Sequence, residues 1–332
     1  MAGEPLPGSL AAEGHAMRRA LAAEFASALG GKARVTVCLD SRFQAEAGPW
    51  LTVPIGPGSY LDRLRELAGR ADYTLIIAPE TMGTLERLTR AVEETGTRLL
   101  GSSPEAVALT ADKAALGLWF ERLGIPTPPS RIVEPAKGLP ADWTYPAVLK
   151  PIDGAGSIDT FRIDDPNNLP EGASKLAAGL LQPLVPGESR SAVFLVVQES
   201  GARLLAVGTQ RIEVSGGRFA YQGGSISYPF DISSAFARWA VETTPGLRGL
   251  VGVDYLWDKD RGEASVLEIN PRPTTSCVGL CHAISPGLLA DAWLMSLRDP
   301  LSGDDLADRI VFEIDAAPVV RFDADGRILD PE

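Results

Sequence analysis

Histidine and cysteine are scarce in this 332-residue chain: two histidines, His15 and His282, and three cysteines, Cys38, Cys277 and Cys281. The odd, small cysteine count excludes a disulfide framework and fits a reducing cytoplasm. Cys277, Cys281 and His282 stand close together, but a structural zinc site takes four ligands with a second close pair, and Cys38 is the only cysteine left. The two cysteines read as small apolar fillers at the start of a helix. No G-x-S-x-G turn is present, which argues against a Ser-His-Asp hydrolase. No apolar run approaches the ~18 residues of a membrane span, and the N-terminus lacks a basic-then-apolar signal pattern. We therefore expect a cytoplasmic location and no membrane partner. Basic residues are outnumbered, 31 against 43 acidic, for a net charge of −12. That argues against nucleic acid as a partner, because phosphate binding needs clustered Lys and Arg. It leaves a nucleotide site open, which needs only a few local cations and backbone N–H groups. Neither G-x-G-x-x-G after the first apolar strand nor the P-loop pattern occurs, so a dinucleotide oxidoreductase is not supported.

What is present is an ordinary globular composition, 45% apolar and 22% charged, long enough for two or three packed units. Residues 10–29 have helical spacing and stop at Gly30-Gly31. Apolar strands are expected at 34–39, 73–79 and 97–101, with helices at 60–70 and 84–95 between them. Buried strands alternating with helices indicate a small open α/β domain ending near residue 105, its parallel sheet covered on both faces. The stretch from Ser103 reads as one helix with a Pro-rich exit at 126–129, and strands are expected within 145–163, at 191–197 and within 204–227. A helix near 231–244 precedes an apolar hairpin turning at Asp-Lys-Asp-Arg-Gly. Two further strands are expected late in the chain, at 309–314 and 317–322.

Three constellations carry chemistry. In "AVLKPIDGAGS", Lys150 ends a buried strand, where a lysine is costly unless it meets an anion. Asp153, Gly154, Gly156 and Ser157 then form a Gly-rich turn whose N–H groups can approach phosphates. Taken alone, the stretch reads better as an ordinary hairpin with Lys150 reaching to water. In "LLQPLVPGESRS", Gln182, Pro183, Leu184 and Val185 make a hinge strand able to pair with a base edge, and Glu188 follows where ribose hydroxyls need an acceptor. Taken alone, the stretch reads better as a plain strand and turn. In the hairpin, Asp254 sits inside "LVGVDYLW", and an antiparallel turn around 258–262 brings it beside Glu268. Glu268 and Asn270, two apart on a strand, share a face. Adjacent carboxylates repel unless a cation neutralises them, so Asp254, Glu268 and Asn270 read as ligands of a hard cation such as Mg2+ that also bridges phosphates.

These constellations, in this order, resemble the ATP-grasp superfamily, whose two α+β subdomains clamp ATP. The resemblance implies a pre-ATP-grasp domain at 1–105, a small subdomain with the Gly-rich lid at 106–190, and a large subdomain with the metal site and a C-terminal extension at 191–332. It implies phosphate-side lysines at Lys113 and Lys150 and ATP with one or two Mg2+ ions, Mn2+ being an acceptable substitute. The chemistry it implies is carboxylate activation: ATP phosphorylates a carboxylate, an amine attacks the acyl phosphate, and phosphate leaves. Arg272 or Arg211 would supply the cation for the transferring phosphoryl group or a substrate carboxylate. Family members with an Arg just before the first metal Asp differ from this chain, which has Gly252-Val253 there. Within the family the chain looks most like the tyramine–glutamate ligase branch of methanofuran-type cofactor biosynthesis. That implies L-glutamate and tyramine or tyrosine as substrates, with Thr274, Thr275 and Ser276 near a substrate carboxylate, Trp257 and Tyr221 available to stack a phenol or pack the core, and a homodimer as assembly. The alternatives are another amino-acid or peptide ligase of this fold, or a nucleotide-binding regulator without turnover.

Overall fold

The computed structural model describes residues 8–329 except 46, 57, 155–156, 198–200 and 228–231. The N-terminal part comprises α1 (Gly8–Leu29), β1 (Thr36–Asp40), β2 (Leu51–Ile55), α2 (Tyr60–Ala68), β3 (Tyr73–Thr74), α3 (Thr84–Glu93) and β4 (Arg98–Leu99). Its strands are parallel as expected, but they form two separate pairs, β1 with β2 and β3 with β4. The 73–79 strand is cut to two paired residues. Beyond Thr74 the backbone leaves the ladder, while Leu75 and Ile77 pack on one core and Ile76 on another. The apolar run was genuine; its cause is burial between two cores.

The single helix expected from Ser103 is two: α4 (Pro104–Ala111) and α5 (Lys113–Leu123). Asp112 divides them. Its backbone is extended, and its carboxylate caps α5 by accepting from the N–H groups of Ala114 and Ala115. The break makes Lys113 the first helical residue, with its own N–H bonded to the Ile152 carbonyl.

Then follow β5 (Arg131–Val133), β6 (Ala147–Lys150), β7 (Phe161–Ile163), β8 (Gly179–Pro183), β9 (Glu188–Val197), β10 (Gly201–Ser215), β11 (Arg218–Ile226), α6 (Ala235–Thr243), β12 (Gly249–Asp258), β13 (Glu263–Asn270), α7 (Ser276–Ala283), α8 (Leu288–Ser296), α9 (Pro300–Ala316), β14 (Val320–Asp323) and β15 (Ile328–Leu329). Among the described residues eleven strands form one sheet, ordered β13-β12-β9-β10-β11-β7-β6-β8-β5, with β14 beside β11 and β15 beside β14. Its smaller half (β7-β6-β8-β5) joins the larger at the single pair Arg218↔Phe161. Strand β9 is apolar on both faces. Val193 and Leu195 pack against α1, α7, α8 and α9, while Ala192 and Phe194 pack against α5 and α6. Burial on both sides explains why "SAVFLVV" reads as a continuous run.

The strand expected at 309–314 lies instead inside α9. Ala307, Ile310 and Ile314 are spaced by three and four residues and bury together. Helical period over a core outweighs the β preference of the isoleucines. Among the described residues no single helix is long and apolar enough to cross a membrane.

Candidate active site

The β12–β13 hairpin builds the centre of the site. Asp258 Oδ1 accepts from the N–H groups of Asp260 and Arg261, which closes the turn locally. The ladder then pairs Asp254 with Glu268 and Gly252 with Asn270. One extra residue on β13, between Val266 and Glu268, marks a bulge at that step. Gly252 lies beneath Thr274: a Cβ there would stand 2.6 Å from the threonine methyl. This is why no side chain, least of all an arginine, precedes Asp254 at that position, and the neighbouring Val253 is fully buried in the core.

Around the hairpin, five of the expected residues converge. Lys113 Nζ lies 3.0 Å from Glu268 Oε2 and donates to the Gly154 carbonyl at 2.8 Å. Asn270 Nδ2 donates to Asp254 Oδ2 at 3.1 Å, leaving its carbonyl oxygen for a ligand. Lys150, 9% exposed, ends β6 close enough for its charge to act on the same carboxylates. Burial pulls Lys150 down to about 8, with Glu268 opposing the shift and Lys113 adding to it. Burial also lowers Lys113, yet the charge and hydrogen bond of Glu268 leave it above the ordinary lysine range. Burial raises both carboxyls. The lysines overcome this at Glu268 and hold it ionised, while Asp254, next to that negative neighbour, stays raised.

Two carboxylates and a carboxamide form an all-oxygen donor set, suited to a hard cation that fills its shell with water and phosphate oxygens. Among the described residues no group of three His, Cys, Asp or Glu side chains gathers to hold a metal. Asn270 and non-protein oxygens would therefore complete the shell.

Other expected residues sit differently. The Gly-rich loop does approach the cluster through Gly154, and Asp153 Oδ2 accepts from the Met82 N–H at 2.9 Å, tying the loop to the N-terminal domain. Ser157 has φ +60°, left-handed backbone of the kind that clusters at ligand clamps. Gly156 lies outside the described residues. Gln182 is buried at the end of β8 and donates to the Pro128 carbonyl at 3.3 Å. Pro183 faces Ala147 across the ladder and has no N–H to offer. The Leu184 N–H is bonded to the Pro146 carbonyl, so pairing with a base edge falls to Val185 and to carbonyl groups. Glu188 begins β9, half exposed and ion-paired to Arg190 at 2.7 Å. Alternation puts it on the face opposite Ser191, the partner of Asp254, so it stands apart from the carboxylate cluster.

Arg272 is ion-paired with Glu80 of the N-terminal domain, with Nε 2.8 Å from Oε1 and Nη2 2.9 Å from Oε2, and it also feels the charge of Glu268. Its remaining Nη1 donates to the Pro273 carbonyl. Arg211 donates to the Gln222 carbonyl and lines a cavity of about 310 Å³ with Thr209, Ser225, Ser227 and Arg321, two guanidiniums among hydroxyls. Thr275 and Ser276 are buried; Ser276 Oγ lies 3.5 Å from Ser191 Oγ, and Thr275 interacts with the Tyr221 hydroxyl. Thr274 covers Gly252. Trp257 packs on the core that holds α5 and α6. Cys277 is a buried filler, its thiol pushed up to about 12 by burial.

Sequence reasoning missed Gln210, whose Nε2 donates to Asp254 Oδ1 at 2.9 Å. A lone glutamine inside the apolar strand "LLAVGTQ" was the available signal. Glu80 carried no signal, since its partner is 192 residues away.

Comparison with known proteins agrees with this geometry. Residues 110–276 match the ATP-grasp domain family and residues 33–107 the pre ATP-grasp 3 domain family. The tyramine–L-glutamate ligase of Methanocaldococcus fervens is 31% identical over 216 residues, 64% of this chain and 62% of that protein, so the chain spans just under two thirds of its relative. A crystal structure of an ATP-grasp superfamily protein from Archaeoglobus fulgidus superposes with a TM-score of 0.65 at 25% identity, covering 88% of this chain and 84% of that one. The L-amino acid ligase of Bacillus licheniformis shares the fold, with a TM-score of 0.62 at 19% identity over 82% of this chain and 70% of that one. With its pre-ATP-grasp domain leading into a lysine-and-carboxylate cluster on the β12–β13 hairpin, the chain belongs to the ATP-grasp family.

Proposed function

We propose that this protein is an ATP-dependent, ADP-forming carboxylate–amine ligase, and that it joins the γ-carboxylate of L-glutamate to tyramine or tyrosine in methanofuran-type cofactor synthesis. The observation that carries the reading is the convergence of Lys113, Lys150, Asp254, Glu268 and Asn270. Two buried lysines beside a carboxylate pair form a site built for polyphosphate and a divalent cation, and a chain without turnover has no use for all five. The similarity to the M. fervens ligase supports the choice of substrates.

The chain's own groups divide the work. Lys150, buried and depressed, regains its full charge when a phosphate anion arrives beside it. Lys113 holds Glu268 ionised and steadies the Gly-rich loop through Gly154. Gln210 orients Asp254. A divalent cation held by Asp254, Glu268 and Asn270 would neutralise phosphate charge. With Arg272 committed to Glu80, the cation facing the transferring phosphoryl group falls to Lys150 or Arg211. The arginine-lined cavity beside Arg211 suits the carboxylate substrate, because paired guanidiniums and hydroxyls recognise anions. Catalysis then rests on positioning and charge neutralisation. The acyl phosphate forms as the γ-phosphoryl group moves from ATP to the carboxylate, the amine nitrogen attacks its carbonyl carbon, and inorganic phosphate leaves.

The deciding assay is ADP release from ATP and Mg2+ with L-glutamate, with and without tyramine or tyrosine, with products read by mass spectrometry. Amine-dependent ADP and a glutamyl-amine mass are expected. ADP with a different amino acid would keep the chemistry and discard these substrates, and no ADP with any amine would leave a nucleotide binder. Lys150→Ala should weaken ATP binding about tenfold to a hundredfold in calorimetry, the worth of a charge-assisted contact. Unchanged affinity would remove Lys150 from the phosphate site.

A further inference from the structure

A cavity of about 330 Å³ lies between the Gly-rich loop and the start of the chain, lined by Glu13, Ser157, Ile158, Asp159, Arg218, Phe219, Ala220, Tyr221 and Ala324. Its volume falls at the small end of ligand pockets, about 300–1,000 Å³. The walls come from two sources. Ser157 to Asp159 and the β11 residues belong to the stretch matched by the ATP-grasp family, whereas Glu13 on α1 and Ala324 beyond β14 lie outside both matched stretches. These two outer segments are built together: Gly326, at φ +77°, lies so close to α1 that a Cβ would sit 2.7 Å from the Ala16 methyl.

The charges inside favour one kind of guest. Arg218 is occupied, 3.4 Å from Asp159 and stacked over the Phe161 ring at 4.7 Å. Glu13 makes no hydrogen bond or ion pair among the described residues. Arg272, whose charge acts on it, is held by Glu80, and Asp325 adds further negative charge. Burial, against the pull of Arg272, raises Glu13 to about 7. A dicarboxylate would be repelled here and an ammonium attracted. Phe219 and Tyr221, two apart on one strand, present aromatic surface on a single wall. Tyr221 also interacts with Thr275 and feels the charge of Asp254, and Ser157 of the Gly-rich loop forms part of the same wall.

We infer that this cavity is the acceptor subsite and takes an aromatic primary amine, its ring against Phe219 and Tyr221 and its ammonium group on Glu13. The inference rests on the ligase reading and adds to it where the amine binds and which residue selects it. Selectivity would then come from the segments flanking the family's shared domains.

The test is calorimetry of tyramine, phenethylamine and N-acetyltyramine, in the presence of ADP and Mg2+, on the full chain and on Glu13→Gln and Ala324→Trp. The parent should bind the two amines at least about tenfold more tightly than the acetylated compound, which has lost its charge. Glu13→Gln should erase that preference while binding ADP as before, and Ala324→Trp, which fills the cavity, should lose amine binding while keeping ADP. Amine affinity within twofold of the parent in a Glu13→Gln protein that still binds ADP would overturn the inference, as would no amine binding by the parent. If Glu13→Gln does not fold, amine binding retained by Ala324→Trp overturns it instead. Amine binding without ADP release in the glutamate assay would sink the ligase reading and leave the cavity as an amine-binding site without an acceptor role.

Discussion

Replacing Glu80 by Ala should destabilise the protein by roughly 3–5 kcal/mol, the usual cost of removing one partner from a buried ion pair. Glu80 and Arg272 have side chains only 6% and 11% exposed, and they meet through two nitrogen–oxygen contacts below 3 Å. Without Glu80 the guanidinium stays out of water with one carbonyl acceptor, Pro273. Glu80→Gln keeps oxygen and shape, so its loss should be smaller. The double variant Glu80→Met/Arg272→Met should recover much of the loss, because no charge is left uncompensated. Urea unfolding with matched m-values reads all three. A Glu80→Ala protein within ~1 kcal/mol of the parent would mean that water reaches the pair. The ion pair also joins the N-terminal domain to the chain just past the proposed metal ligands, so Glu80→Ala should impair turnover beyond its effect on folding.

Glu268→Gln should reduce ADP formation by at least about 10³-fold while leaving the protein folded, a loss of the order found when one preorganised electrostatic group is removed. The substitution keeps the shape and removes the charge that Lys113 balances and a divalent cation would share. Asp254→Asn should behave similarly in turnover but differ in stability. Asp254 is already raised by burial and by Glu268, so removing its charge relieves repulsion, whereas removing that of Glu268 strands two lysines. Thermal unfolding should therefore fall in Glu268→Gln and hold or rise in Asp254→Asn. Full activity in Glu268→Gln would remove the metal assignment.

Legibility followed sequence distance. Asp254 and Glu268 were placeable together because a short turn and strand alternation dictate the register between them. Lys150 was readable because a lysine ending an apolar strand needs an explanation. Gln210 was hidden because its polarity matters only once β10 is carried past β9 to reach Asp254. The wrong secondary structure also had local causes. The isoleucines of 309–314 prefer strands, and only packing of Ala307, Ile310 and Ile314 on one face settles the helix. Asp112 reads as mid-helix until its extended backbone makes it a cap.

Composition and pattern alone determined the α/β character and the pairing within the hairpin, because each depends on residues close in the chain. Only the tertiary structure decided that Arg272 pairs with Glu80, that Thr275 and Ser276 are buried in the fold, and that Glu13 and Ala324 close a cavity beside Tyr221. Those outcomes depend on which distant charges and surfaces meet when the sheet buries both its faces, and the energy of such a meeting is not written in either partner's local sequence.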